Sequence, residues 1–208
     1  MIELVIFDCD GTLVDSELLC NQALEWKLAE LGIIIAAQEL VDRFRGVKFN
    51  DILATIEDEH SMTLPEHFER KYREKVKALF AESLRANEGV KELLENVQLP
   101  ICVASSAPRA KIDQALTITG LKTFFNNNIF SCYDIEIWKP QPDIFLHTAR
   151  KMGYKPKNCL VVEDSPVGIQ AAQAAGMNVV LYDPHQIHAD IDVEYRVSSM
   201  HDIRALLS

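Results

Sequence analysis

No stretch of this sequence approaches the roughly 18 consecutive apolar residues that a membrane-spanning helix requires, so no membrane anchor is expected. A basic excess is also missing. The formal net charge is −10, which repels polymeric nucleic acid and gives small anions no general attraction. No nucleic-acid polymer is therefore expected as a partner, and any phosphate site must be built locally from positioned cations, a metal ion or backbone donors. Paired cysteines are absent too: Cys9, Cys20, Cys102, Cys132 and Cys159 are five in number and show no CxxC spacing. Free thiols and no zinc site are expected. The first apolar run begins at Leu4 with no basic stretch, signal-peptide core or cleavage site before it, and a cytoplasmic location follows as the expectation. Repeats, low-complexity tracts and a long apolar surface stripe are lacking, so a monomer is expected.

What is present is an ordinary globular composition, 48% hydrophobic and 25% charged over 208 residues, enough for one large domain or a core with a smaller insertion. Short apolar runs at Leu4–Phe7, Ile101–Ala104, Leu160–Val162 and Val179–Leu181 are rich in Val and Ile and are followed by polar or acidic residues. They predict buried parallel strands. Weaker strands are expected at Asn128–Ser131 and Tyr195–Val197. Between them, helical periodicity runs through Val90–Val97, Lys111–Ile118, Asp143–Met152 and Pro166–Ala175, with a short terminal helix at His201–Leu207. The alternation predicts an α/β fold with a doubly wound, Rossmann-like parallel sheet.

From about Ser16 to Leu84 the alternation stops. Helical patterns at Glu17–Leu31, Ala37–Phe44, Phe49–His60 and Pro65–Ser83 are separated by Gly32, Gly46 and the segment Met62-Thr63-Leu64-Pro65. This predicts a four-helix insertion over residues 16–84 in a core formed by residues 1–15 and 85–208.

Ligands of open α/β sheets bind beyond the carboxyl ends of the strands. After Leu4–Phe7 come Asp8-Cys9-Asp10-Gly11-Thr12; residues two apart in extended chain share a face, so both carboxylates can approach one ligand. Glu163-Asp164 follows another strand, and the four acids together offer the hard oxygen donors that Mg²⁺ favours. Ser105 and Ser106 follow a third strand, and Lys139 lies just before a helix. Hydroxyl, amide and ammonium donors suit phosphate oxygens. Each motif also has a plainer explanation: Ser165-Pro166 after the acids is a favourable helix start by itself, and Lys139 or Ser105-Ser106 alone would pass for loop and capping residues.

Taken together, Asp8-x-Asp10-x-Thr12, Ser105, Lys139 and Glu163-Asp164 resemble the four motifs of the haloacid dehalogenase superfamily. The helical cap inserted after the first strand is similar to that of its phosphatase and β-phosphoglucomutase branch. The segments Asp8–Glu17, Arg43–Lys48 and Phe130–Ile135 with Trp138-Lys139-Pro140 resemble the bacterial 6-phosphogluconate phosphatases most. The resemblance implies Asp8 as nucleophile, Asp10 as general acid and base, and phosphate binding by Ser105, Ser106 and Lys139. It also implies Mg²⁺ at Asp8, Asp10, Glu163 and Asp164, with substrate choice by Arg45 and Lys48 in the cap. A Mg²⁺-dependent phosphatase of a small phosphorylated metabolite, such as a sugar phosphate, is the implied activity. A sugar phosphomutase is the enzymatic alternative; Cys20 and Phe49 stand where the mutases place His and Arg, which disfavours it. A phospho-accepting receiver domain is the non-enzymatic alternative, disfavoured by the large insertion and by the second acid, Asp10.

Overall fold

The computed structural model describes residues 1–44 and 47–207. By its internal contacts the chain forms two compact units, Met1–Asp15 with Arg85–Ser208, and Ser16–Leu84.

The first unit is built on six strands: β1 (Leu4–Phe7), β2 (Ile101–Ser105), β3 (Ile129–Ser131), β4 (Cys159–Glu163), β5 (Asn178–Tyr182) and β6 (Tyr195–Val197). They pair in the order β3-β2-β1-β4-β5-β6, every pair parallel. β1 and β4 are buried along their whole length, as expected for central strands covered by helices on both faces. Strand alternation sends Leu4 and Ile6 into a core with Cys102, Ala104, Cys159 and Val161. That face is closed by Ile144, Phe145 and Ala149 of one helix (Asp143–Met152) and by Ile169, Ala171 and Ala172 of another (Pro166–Ala174). Val5 and Phe7 take the opposite face, where Phe7 meets Phe125 edge to face at 6.2 Å. Sequence order reverses on either side of β1, so the crevice between β1 and β4 is the topological switch point, and ligands of such sheets bind at its carboxyl edge.

The second unit contains α1 (Glu17–Ala29), α2 (Ala37–Phe44), α3 (Phe49–His60) and α4 (Phe68–Ser83). Their apolar stripes form a separate core of Leu24, Leu28, Ile33, Ile35, Leu40, Ile52, Ile56, Leu64 and Phe68. Phe49 stacks on Tyr72 at 4.3 Å within it. α1 stops at Ala29, two residues short of its periodic pattern. Gly32, at φ +81°, turns the chain so that the Ile33 N–H reaches the Leu28 carbonyl, a closure that favours glycine. The first unit then continues with α5 (Val90–Asn96), α6 (Arg109–Ile118), α7 (Lys122–Phe125), α8 (Asp143–Met152), α9 (Pro166–Ala174) and α10 (Met200–Leu206). Among the described residues no helix is long and apolar enough to cross a membrane.

Candidate active site

The carboxyl end of β1 carries Asp8, whose N–H donates to the Val162 carbonyl at 3.0 Å and prolongs the pairing with β4 by one residue. The chain then folds back. Gly11, at φ +80°, donates its N–H to the Val14 carbonyl at 2.9 Å, and Val14 pairs with Asp10 and with Ala86. The Asn87 amide donates to the carbonyls of Gly11 and Thr12 at 2.7 and 2.8 Å. Thr12 donates its hydroxyl to Asp164 at 2.8 Å. A Cβ on Gly11 would lie 2.1 Å from the Asp164 carboxylate. Glycine is therefore required twice, by a left-handed backbone and by the close passage of the loop over Asp164.

Lys139 is buried between two acids. Its ammonium donates to Asp8 Oδ1 at 2.6 Å, to Glu163 Oε1 at 2.7 Å and to the Ala104 carbonyl at 3.1 Å, which accounts for its three N–H groups. The ammonium also lies 4.9 Å from the centre of the Phe145 ring. Asp8, Lys139 and Glu163 are 6%, 9% and 1% exposed. Charges so far from water persist only when paired. Burial pushes the Asp8 carboxyl up to about 7, against the downward pull of Lys139 and with Glu163 adding to the rise. Burial by itself would pull the Lys139 ammonium down, but Asp8 and Glu163 hold it well above its ordinary value. Cys9, between the two aspartates, points into the interior, where burial and then the neighbouring carboxylates push its thiol well up. It stays a thiol, and all five cysteines are free.

The second acidic pair divides at the end of β4. Glu163 accepts at its other oxygen from the Ser165 N–H at 2.8 Å and hydroxyl at 2.9 Å. Its carboxylate lies against α9 where a Cβ on Gly168 would come within 1.8 Å. Glu163, implied by resemblance as a metal ligand, thus has both oxygens engaged by protein donors. Ser165 caps α9 through Gly168 N–H at 3.1 Å, with Pro166 opening the helix. The helix-start role that Ser165-Pro166 suggested and an acid-bearing strand end therefore coexist. Asp10 pairs with Lys111 of α6 at 2.9 Å.

Ser105 is buried, and its hydroxyl accepts the Ala107 N–H at 3.1 Å; Ser106 lies beside it with its hydroxyl 3.8 Å from Cys132 Sγ. Asp8, Asp10, Ser105, Ser106, Lys139, Glu163 and Asp164 therefore all lie at the carboxyl edge of β1, β2 and β4. Of the cap residues, Arg45 lies outside the described residues, and Lys48 is an exposed residue preceding α3, with its carbonyl accepting from Asp51 and Ile52. Arg43 is used within its own unit, paired with Glu39 and Glu59. The motifs did not single out Lys111, Asn87 or Gly168. Only the glycine near a helix start carried a local signal, because close approaches commonly need glycine.

Among the described residues, no group of three or more His, Cys, Asp or Glu side chains forms a ready-made metal cage. The donor set fits Mg²⁺ in another way. Asp8, Asp164 and the Asp10 carbonyl are hard oxygen donors on adjoining strand ends, and Mg²⁺ commonly takes only one or two carboxylates, completing its shell with water and substrate oxygens. Gly11 leaves the Asp164 carboxylate the space that a side chain would fill.

Residues 5–182 match the family model described as haloacid dehalogenase-like hydrolase. The chain belongs to that family. Among curated members it is 40% identical over 187 residues to the 6-phosphogluconate phosphatase of Escherichia coli strain K12, covering 88% of this chain and 85% of that protein. It is 29% identical over 194 residues to the phosphorylated carbohydrates phosphatase of Thermotoga maritima, covering 90% and 88%. Its fold matches the crystal structure of a haloacid dehalogenase-like protein of unknown function from Agrobacterium tumefaciens with a TM-score of 0.87, at 35% identity and covering 100% and 98% of the two chains. The α/β fold of this family and the enzyme class expected from the motifs, a haloacid dehalogenase-like phosphatase, both hold for the chain.

Proposed function

We propose that this enzyme hydrolyses a small phosphorylated sugar, with 6-phosphogluconate the leading candidate, through an aspartyl-phosphate on Asp8 and with Mg²⁺. The observation that carries the mechanism is the Asp8–Lys139–Glu163 bridge at the switch point. Lys139 holds one oxygen of Asp8 and stabilises its anionic form, while the burial that raises the carboxyl also strips it of water, as a nucleophile requires. Glu163 fixes Lys139 and is itself fixed by Ser165, so the orienting cation cannot swing away. The E. coli relative's name supports the choice of 6-phosphogluconate.

In the first half-reaction an Asp8 carboxylate oxygen bonds to phosphorus as the bond to the sugar oxygen breaks. The departing electron pair needs a proton, which Asp10 supplies from two residues further along the same loop. In the second, Asp10 takes a proton from water as that water attacks phosphorus, and the bond to Asp8 breaks to regenerate its carboxylate. Asp8, the Asp10 carbonyl and Asp164 would hold Mg²⁺, with Thr12 orienting Asp164; bound there, the ion neutralises charge on the phosphoryl oxygens. Ser105 and Ser106 supply phosphate donors at the end of β2. Arg45 and Lys48 bear on substrate choice.

Phosphate release from a panel of 6-phosphogluconate, hexose phosphates and nucleotides, with and without Mg²⁺, tests this. Mg²⁺-dependent release with 6-phosphogluconate foremost is expected. No release from any of them refutes the function, and equal release after chelation refutes the metal.

A further inference from the structure

We propose that Lys111 is a positioning residue for Asp10 that favours departure of the sugar oxygen; the inference rests on the phosphatase mechanism above. Helical side chains lean toward the amino end of their helix. Lys111 is the third residue of α6, so its stem leans back over the turn that follows β2, toward the catalytic loop. Its ammonium lies 2.9 Å from Asp10 Oδ2, and the two side chains are 24% and 29% exposed. Arg109, on the same turn, goes elsewhere: its guanidinium bonds the Ile129 carbonyl and Asp113. Of these two cations, Lys111 is the one committed to the acid–base group.

As stability alone, so exposed a pair contributes little. Its chemical consequence is larger. When the bond from phosphorus to the leaving oxygen breaks, the electron pair goes to that oxygen, the Asp10 proton follows, and Asp10 is left a carboxylate. An ammonium already at 2.9 Å holds the Asp10 carboxyl by Oδ2, which fixes the other oxygen in the orientation from which the proton passes to the leaving oxygen. Lys111 therefore orients the acid for the first half-reaction, the step that kcat/KM reports. A poor alkoxide leaving group depends on this help, whereas p-nitrophenolate leaves with little protonation.

The test uses the full chain with Mg²⁺, comparing 6-phosphogluconate or the best sugar phosphate from the panel with p-nitrophenyl phosphate. Lys111→Ala is expected to lower kcat/KM for the sugar phosphate about 10- to 100-fold, the scale of a misplaced catalytic group, and for the aryl phosphate about 2-fold at most. Lys111→Arg should recover part of the loss. In an Asp10→Asn background Lys111→Ala should cost nothing further, because the partner it acts through is gone. Equal losses on both substrates, or a full additional loss in the Asp10→Asn background, would overturn the inference. So would unchanged activity of Lys111→Ala beside an active wild type. An inert wild type overturns the phosphatase mechanism and this inference with it, so the two failures are distinguishable.

Discussion

Removing the Lys139 ammonium should destabilise the enzyme as well as silence it, by an amount that depends on pH in a defined direction. In Lys139→Ala the carboxylates of Asp8 and Glu163 lose a cation at 2.6 and 2.7 Å while remaining within the sheet crevice. Deleting one partner of a buried ion pair costs about 3–5 kcal/mol. Glu163 retains its two bonds from Ser165, and Asp8, already pushed up to about 7, can take a proton, so the lower end of that range applies near pH 7. The sign follows from the shifts. Lys139 is held above its ordinary value, so its contribution is fully present below the unfolded lysine pKa of about 10.4 and is lost only as pH rises through its folded pKa. At pH 8 the whole deficit should be visible. On lowering the pH toward 5, Asp8 in the variant acquires a proton and the deficit should shrink. Urea unfolding of metal-free wild type and Lys139→Ala at pH 8, 6.5 and 5, followed by circular dichroism, measures this. Equal stability at pH 8, or a deficit that widens as pH falls, would refute the account of Lys139 as the cation neutralising two buried acids.

Asp8→Asn should abolish turnover while preserving the fold, since the amide keeps the shape and loses the nucleophile; substantial phosphate release by this variant would remove Asp8 from that role. Gly11→Ala should lose at least about tenfold in activity, because its Cβ would meet Asp164 at 2.1 Å and left-handed backbone is costly for alanine; wild-type rates would show that the loop does not need this close passage. Mg²⁺ affinity should weaken as pH falls below about 7, because a proton on Asp8 must leave before the ion binds. Titrating Mg²⁺-induced thermal stabilisation at pH 6 and pH 8 checks this, and equal midpoints would contradict it. Lys48→Ala should change the ranking of substrates more than the rate on any single one, and a uniform loss across the panel would speak against a role in specificity.

The sheet was legible because its strands are short, apolar and end in acids or hydroxyls. β1 and β6 fall where periodicity puts them, and β2, β4 and β5 are each extended by one or two residues that their pairing partners recruit. α2 and α3 also coincide with their patterns, since their apolar stripes form a core inside one unit. α7, only Lys122–Phe125, is too short to show a helical period. α4 begins at Phe68, after a turn in which Phe68 donates to the Pro65 carbonyl, although periodicity began at Pro65. The acids themselves were legible from strand-end position, but their partners were not. Nothing local distinguishes Glu163 from Asp164. Only the β4–β5 pairing, which keeps Glu163 in the strand opposite Leu181, turns one toward Lys139 and leaves the other to Thr12. The Lys111–Asp10 contact joins residues 101 positions apart and exists only once β1 and β2 lie side by side.

On the proposed function, those partners also bear on how a chain with a net charge of −10 would receive a phosphate dianion. The crevice gathers four carboxylates, from Asp8, Asp10, Glu163 and Asp164, against the ammonium groups of Lys139 and Lys111. With all the acids ionised the protein side therefore carries a local excess of about two negative charges, the amount that one divalent cation cancels. Mg²⁺ on the Asp8 and Asp164 side would thus do more than polarise the phosphoryl group, since it would convert a site that repels the substrate into one of near-zero charge. Lys139 enters that balance with its three N–H groups given to Asp8, Glu163 and the Ala104 carbonyl. The network assigns its own cations to orienting the acids and leaves the cancelling of their excess charge to a divalent ion, so on the proposed mechanism the metal would act in substrate binding as well as in the transfer step.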